Sequence, residues 1–367
     1  MRRWRSWLIG ATLCCGWPVT LSAQWPHVVR YPAYPNTPPR IVLFIADGAG
    51  TNYWAATHFA ADVLSVHQFP VVGLVDVRSS SHDITDSAAS ATSYAAGVAT
   101  YNGAIGVDRD TVSVPTVLEI AAERGMGTGL VATSSITHAT PAAFAAHVPR
   151  RAMQYEIARQ MVDHNVTVVL GGGRRYFDPA VRRDSLDLLA AICEGHTYVG
   201  SHAEFSSLAI DTVTALYGLF TPEHMPAAAT RAPTLPEMTE AALSILGRDP
   251  DGFFLMVEAS QPDWRAHDNE PIERIVAEML DLDRAIAVAL EYRARHPETL
   301  IVVTADHETG GLALQRDSTG SIAASYTTGS HTAAMVPLFA IGPGARRFGG
   351  ITTNDRVGRL LIEAVQH

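Results

Sequence analysis

Continuous apolar runs alternate with amphipathic stretches along most of the chain. Runs at 41–46, 128–133, 166–170, 253–257, 300–304 and 337–341 lack the period-two alternation of a half-exposed strand, so they predict strands covered on both faces. Segments 117–124, 153–163, 237–246, 272–292 and 356–365 carry helical spacing instead. In the longest of them, Ile272, Ile275, Val276, Met279, Leu280, Ile286 and Leu290 keep one apolar stripe. Strands alternating with helices predict an α/β fold, a three-layer sandwich with a central, mostly parallel sheet flanked by helices. In such a fold a site forms beyond the carboxyl ends of the strands.

The first 23 residues break this pattern. Arg2, Arg3 and Arg5 precede an apolar stretch from Trp7 to about Val19, too short for a comfortable membrane span, which predicts a secretory signal peptide cut after Ala23. Residues 24–367 then form a single domain, with the weakly periodic stretch of about 193–236 as a candidate insertion or lid. No membrane span is expected after the cut, and the protein is expected to be exported, periplasmic or secreted. Cys14 and Cys15 fall in the leader, and Cys193 alone cannot form an intramolecular disulfide.

Composition narrows the chemistry. The 367 residues are 47% apolar and 17% charged, enough for a substantial core. There is no lysine, so all 27 Lys or Arg side chains are Arg. That excludes a Walker-A lysine, a kinase β3 lysine and any Schiff base. A phosphate would have to meet Arg, a metal ion or a helix N-terminus. The net charge of −10 and the lack of a basic run exclude a broad nucleic-acid patch.

Carboxylates and imidazoles gather where the apolar runs end: Asp47, Glu258, Asp263, His267, Asp306, His307 and, after a short loop, His331. Asp263 and His267 share one face if 262–268 is a helical turn. Asp306 and His307 can both face a site only if the strand has stopped pleating, as the following Glu-Thr-Gly-Gly suggests. Imidazole mixed with carboxylate suits zinc, whereas a carboxylate and hydroxyl set suits magnesium. Segment 83–97 reads as a helix N-terminus capped by Thr85 or Asp86, with Ser87 in the first turn, where unpaired N–H groups favour an anion. No His follows at the spacing of a base, so activation of Ser87 points to a metal.

Six ordered motifs carry a family resemblance: Ala46-Asp-Gly48, Thr85-Asp-Ser-Ala-Ala-Ser-Ala-Thr92, Ala139-Thr-Pro-Ala142, Val257-Glu258 with Asp263-x-x-x-His267, Thr304-Ala-Asp-His-Glu-Thr-Gly310, and Gly329-Ser-His-Thr332. Together, from about residue 41 to 345, they resemble the alkaline phosphatases. The resemblance implies a hydrolase of small phosphate monoesters that works through a phosphoserine on Ser87. It implies two zinc ions, one held by Asp263, His267 and His331 and the other by Asp47, Asp306 and His307. A magnesium ion, or zinc in its place, would sit with Asp47, Thr140 and Glu258. Arg151, eleven residues after Thr140, takes the place of the family's phosphate-clamping Arg, oriented by Asp86.

Two positions depart from the best-known enterobacterial members. His138 stands in place of Asp and is expected to weaken magnesium or admit zinc at the third site. Trp264 stands in place of Lys, as a wall of the phosphate pocket or as a packing aromatic. Only 23 residues separate His307 from His331, too few for the family's crown insertion. A homodimer is compatible with the resemblance, but these motifs do not define its surface. The alternatives are a phosphodiesterase or nucleotide pyrophosphatase of the same superfamily, which usually offers Thr as nucleophile without the Arg clamp, and an inactive metal or phosphate binder. The other histidines, His147, His164 and His224 among them, read as core or surface groups.

Overall fold

Arg40–Ala46 (β1) runs buried through the middle of a ten-stranded sheet. In chain order the remaining strands are Val71–Asp76 (β2), Gly127–Ser135 (β3), Val168–Gly172 (β4), Thr197–Val199 (β5), Leu216–Leu219 (β6), Phe253–Ala259 (β7), Thr299–Thr304 (β8), Val336–Ile341 (β9) and Gly350–Thr353 (β10). Their order across the sheet is β10-β2-β9-β8-β1-β7-β3-β4-β6-β5. Only β9 runs antiparallel to its sheet neighbours, β2 and β8. This computed structural model describes residues 37–367 apart from 319 and 321, so the expected signal peptide lies outside the described residues.

The apolar runs became central strands because helices cover both faces. Leu235–Leu246 and Ile272–Arg295 pack on each other and on the sheet as one layer. Ser87–Ala96, Val117–Glu123, Ala139–Ala145 and Asn354–Val365 pack together as the other. Every residue of Ser87–Ala96 is buried, and its Ala, Ser and Thr content lets it pack closely against Ala139–Ala145 and the C-terminal helix. At Gly358 on that C-terminal helix, a Cβ would come within 2.2 Å of the Ser93 carbonyl oxygen. The two helix backbones touch there, and only glycine permits it.

Register sets the site. Ile45 pairs with Glu258 on one side and Thr304 on the other, so β1, β7 and β8 end level. The stretch 193–236 contributes β5 and β6 at one sheet edge, and its return carries His224 back to the carboxyl ends of the strands, where Ser135 N–H donates to His224 Nδ1. Cys193 is free and exposed. Among the described residues, no helix is long and apolar enough to cross a membrane.

Candidate active site

Three strand ends deliver the buried carboxylates. β1 stops at Ala46, and Gly48 turns the chain with φ of +73°. A Cβ at Gly48 would lie 2.8 Å from the Asp263 Cα, so the tight turn lets the Asp47 and Asp263 segments meet. The Gly48 N–H donates to Asp306 Oδ1 at 3.1 Å, tying the end of β1 to the loop after β8. Because β8 ends at Thr304, Asp306 and His307 both face the same place, and both are fully buried.

Asp263 and His267 lie one turn apart on the helix Gln261–His267. His267 Nδ1 faces the Gly329 carbonyl at 2.8 Å, and His331 Nδ1 faces the Thr85 carbonyl at 2.9 Å. Each Nδ1–H therefore donates to backbone, which leaves both Nε2 lone pairs pointing at one another, 3.1 Å apart. Asp263 Oδ1 is 3.4 Å from the first and 3.7 Å from the second. Two lone pairs and a carboxylate oxygen turned inward repel unless a cation lies between them. Bonds of about 2.0–2.1 Å in a tetrahedral zinc site place ligand atoms about 3.3 Å apart, which this trio matches.

A second set stands beside it. His307 Nε2 is 3.2 Å from Asp306 Oδ2, 3.5 Å from Asp47 Oδ1 and 3.2 Å from Ser87 Oγ. His307 Nδ1 faces Thr309 Oγ1 at 3.2 Å, and the Thr309 hydroxyl donates to Asp263 Oδ1. Thr309 thus fixes the His307 tautomer and joins the two sets. Motif reading did not single it out for this role, because its place between Asp263 and His307 exists only in the fold.

The third cluster is Asp47, His138 and Glu258. Both Asp47 carboxylate oxygens, Glu258 Oε1, Asp306 Oδ2 and Thr140 Oγ1 are buried with no hydrogen-bond partner. Buried polar atoms are nearly always paired, so this concentration of orphans fits cation binding. Burial pushes the Asp47 carboxyl well above its ordinary range, and the Asp306, Asp263 and Glu258 carboxylates push it further. Burial also drives Glu258 up to about 7. His138 is held well below its ordinary value by burial first, then by the Arg151 guanidinium and His224. The structure puts His138 beside Asp47 and Glu258, with Thr140 two residues on along the chain.

Asp86 caps the helix that starts at Ser87, accepting from Ala89 N–H at 3.0 Å and from Gly103 N–H at 3.0 Å. Its other oxygen accepts from Arg151 Nη1 at 3.1 Å, and Arg151 Nη2 donates to His138 Nε2 at 3.2 Å. Arg151 therefore stands at the mouth of the site with its guanidinium plane fixed. Trp264 is half-buried, its ring centroid 4.6 Å from that of His224 and 5.9 Å from that of His138. His224, assigned to the background histidines in the sequence, belongs to this wall; nothing in its spacing could have shown it.

These features define a set of candidate cation-binding clusters at the carboxyl edge of an α/β sandwich, with a helix-borne serine and an arginine beside it. The model of the family described as "Alkaline phosphatase" matches residues 39–324, and the chain belongs to that family. It is 38% identical over 296 residues to alkaline phosphatase 3 of Bacillus subtilis, covering 76% of this chain and 62% of that protein. It is 32% identical to streptomycin-6-phosphate phosphatase of Streptomyces griseus, covering 95% of each. The fold matches the alkaline phosphatase of the Antarctic bacterium TAB5 with a TM-score of 0.83 and 37% identity, covering 90% of this chain and 98% of that one. A histidine-to-glutamate variant of the same enzyme holds Mg in its M3 site. The chain thus spans less than two thirds of the Bacillus relative's length but nearly all of the TAB5 structure.

Proposed function

We propose that the protein is an exported phosphate monoester hydrolase that transfers the phosphoryl group to Ser87 and then to water. The observation that carries this is the place of Ser87: 2% exposed at the first turn of a helix, 3.2 Å from His307 Nε2, with Arg151 held nearby by the same Asp86 that caps that helix. Asp263, His267 and His331 would hold one zinc ion, and Asp47, Asp306 and His307 a second. Asp47, Thr140 and Glu258, with His138 beside them, would hold magnesium or a third zinc. Bound there, the ions would neutralise the phosphate charge and lower the pKa of the Ser87 hydroxyl and of an attacking water.

The chain's own groups do the rest. Arg151 presents two N–H groups in a planar fork, which suits two phosphate oxygens better than a flexible ammonium would. Asp86 holds that fork in register with Ser87, so binding and attack share one frame. Unpaired N–H groups of the first helical turn face the developing negative charge. The Ser87 hydroxyl gives its proton to solvent and its oxygen forms a bond to phosphorus, as the ester oxygen leaves with its electron pair and takes a proton from water. Water then attacks the phosphoserine from the side the leaving group vacated, releasing inorganic phosphate and restoring Ser87. Trp264 and His224 form an aromatic wall that would meet the leaving group.

The deciding experiment compares hydrolysis of p-nitrophenyl phosphate with that of its bis ester, before and after chelation, for wild type and Ser87→Ala. Monoester turnover lost on chelation, and lost in Ser87→Ala at full metal content, is the expected result. Faster diester cleavage, or turnover surviving either perturbation, overturns the proposal.

A further inference from the structure

A second His and carboxylate cluster lies away from the centre described above. Glu119 is the last residue of the capping box that starts the helix Val117–Glu123: its Oε2 accepts from Thr116 N–H at 2.7 Å, and its Oε1 turns the other way. His147 Nε2 lies 2.7 Å from Oε1, and His164 Nδ1 lies 3.3 Å from the same atom. His147 Nδ1 faces the Gly106 carbonyl at 2.6 Å, so that nitrogen carries a proton and donates. In neutral His147 the Nε2 lone pair therefore points straight at a carboxylate oxygen. Two acceptors at this distance hold a proton between them, and a metal ion would replace that proton once the two atoms part to the roughly 3.3 Å spacing of ligands on one zinc ion. The orienting bond from the far ring nitrogen to a backbone carbonyl is the arrangement that metal-binding imidazoles use. Glu119 and His147 are mostly buried, His164 is half-buried, and the three ligand atoms lie within 4.8 Å of one another. They line a surface cavity of about 450 Å³ together with Glu123 and Asp163, a carboxylate-rich wall that attracts cations.

We infer that Glu119 Oε1, His147 Nε2 and His164 Nδ1 form a binding site for a single divalent transition metal of the zinc class, independent of the catalytic centre. One carboxylate with two imidazoles is a borderline-soft set, which selects zinc, cobalt or nickel over magnesium and calcium. Three protein ligands leave the fourth position to water from the cavity. The ion would join three elements: the start of helix Val117–Glu123, the strap that leaves helix Ala139–Ala145, and the end of helix Gln154–Asp163. That strap pairs Val148 with Ile105 and passes Arg151 N–H to the Gly103 carbonyl. His147 and His164 thus bracket the segment that carries Arg151, and a bound ion would fasten both of its ends. Binding displaces the proton between His147 and Glu119, so affinity rises with pH through the imidazole range.

The test uses the full chain, loaded with zinc and magnesium and freed of loose metal on a desalting column. Metal content, melting temperature and p-nitrophenyl phosphate turnover are measured for wild type, His164→Ala and Glu119→Gln. The Gln amide oxygen still caps Thr116, so the second variant keeps the helix start. Wild type is expected to retain one more zinc ion per chain than either variant. Micromolar zinc should raise its melting temperature where the variants do not respond, and turnover should be equal in all three. Equal zinc content in the three proteins, or a response only at millimolar zinc, would show the cluster to be an ion pair and overturn the inference. A fall in turnover that tracks the lost zinc would assign that ion to the catalytic centre and overturn it as well.

Discussion

Replacing Thr309 by Val tests whether the two imidazole sets work as one unit. Val matches the shape of Thr, and the backbone there is held without the hydroxyl: Thr309 N–H donates to the Gly48 carbonyl, and Tyr53 OH donates to the Thr309 carbonyl. The substitution therefore removes only the link between His307 Nδ1 and Asp263 Oδ1. A buried hydrogen bond to a charged group is worth about 1.5–3 kcal/mol. At about 1.4 kcal/mol per tenfold, that is roughly 10- to 100-fold in metal affinity, the range found when an orienting partner of a ligand is lost. Chelator competition gives the zinc affinity directly, and melting curves of the metal-free and loaded protein give it independently. Thr309→Val leaves Asp263 Oδ1 and His307 Nδ1 without that partner in either state, so it should melt below wild type when metal-free and by a wider margin at limiting zinc. Equal zinc affinity in the two proteins, or a melting gap that does not change with zinc, would refute the orienting role.

Arg151→Ala should lower kcat/KM for p-nitrophenyl phosphate and weaken inhibition by inorganic phosphate, each by about 10- to 100-fold, because charged hydrogen bonds to the phosphate are lost; unchanged phosphate inhibition would remove Arg151 from the clamp. His138→Asp should increase the magnesium response of activity and of melting temperature, since a carboxylate is a harder ligand than imidazole; an identical magnesium titration would count against a third site at Asp47, His138 and Glu258. Arg78 holds the Asp76 carboxyl below its ordinary value. Because the folded value is the lower one, this pair adds stability above the ordinary carboxylate pKa and loses it as the pH falls through the lowered one. Asp76→Asn should therefore destabilise at neutral pH with a gap that closes in acid, and a gap independent of pH would refute the linkage.

Legibility in the sequence followed burial. β3, β7 and β8 are buried along their whole length, as is β1 from Ile41 onward, and each left a run to find. β2 alternates buried and exposed positions around Gly73, and β10 is mostly exposed, so neither left an apolar run to find. The catalytic candidates read well because their residue types are chemically unusual beside strand ends. His224 and Thr309 did not, since a histidine in a long return and a threonine beside a candidate ligand look ordinary until the partners are seen. His138 shows the intermediate case: its position was legible, but its reach to Asp47 and Glu258 was not.

What the sequence alone determined is the layer architecture, the set of carboxylates and imidazoles, and the exclusion of ammonium chemistry. Those follow from local pattern and composition, which need no knowledge of which strands are neighbours. The tertiary structure decided which of these groups stand within reach of one another, because β1, β7 and β8 end level only once their register is set. It also decided ring orientation: backbone carbonyls at Gly329, Thr85 and Gly106 turn His267, His331 and His147 so that their outer nitrogens face carboxylates. Hydrogen bonds between residues tens to hundreds of positions apart do this, and no spacing along the chain records them.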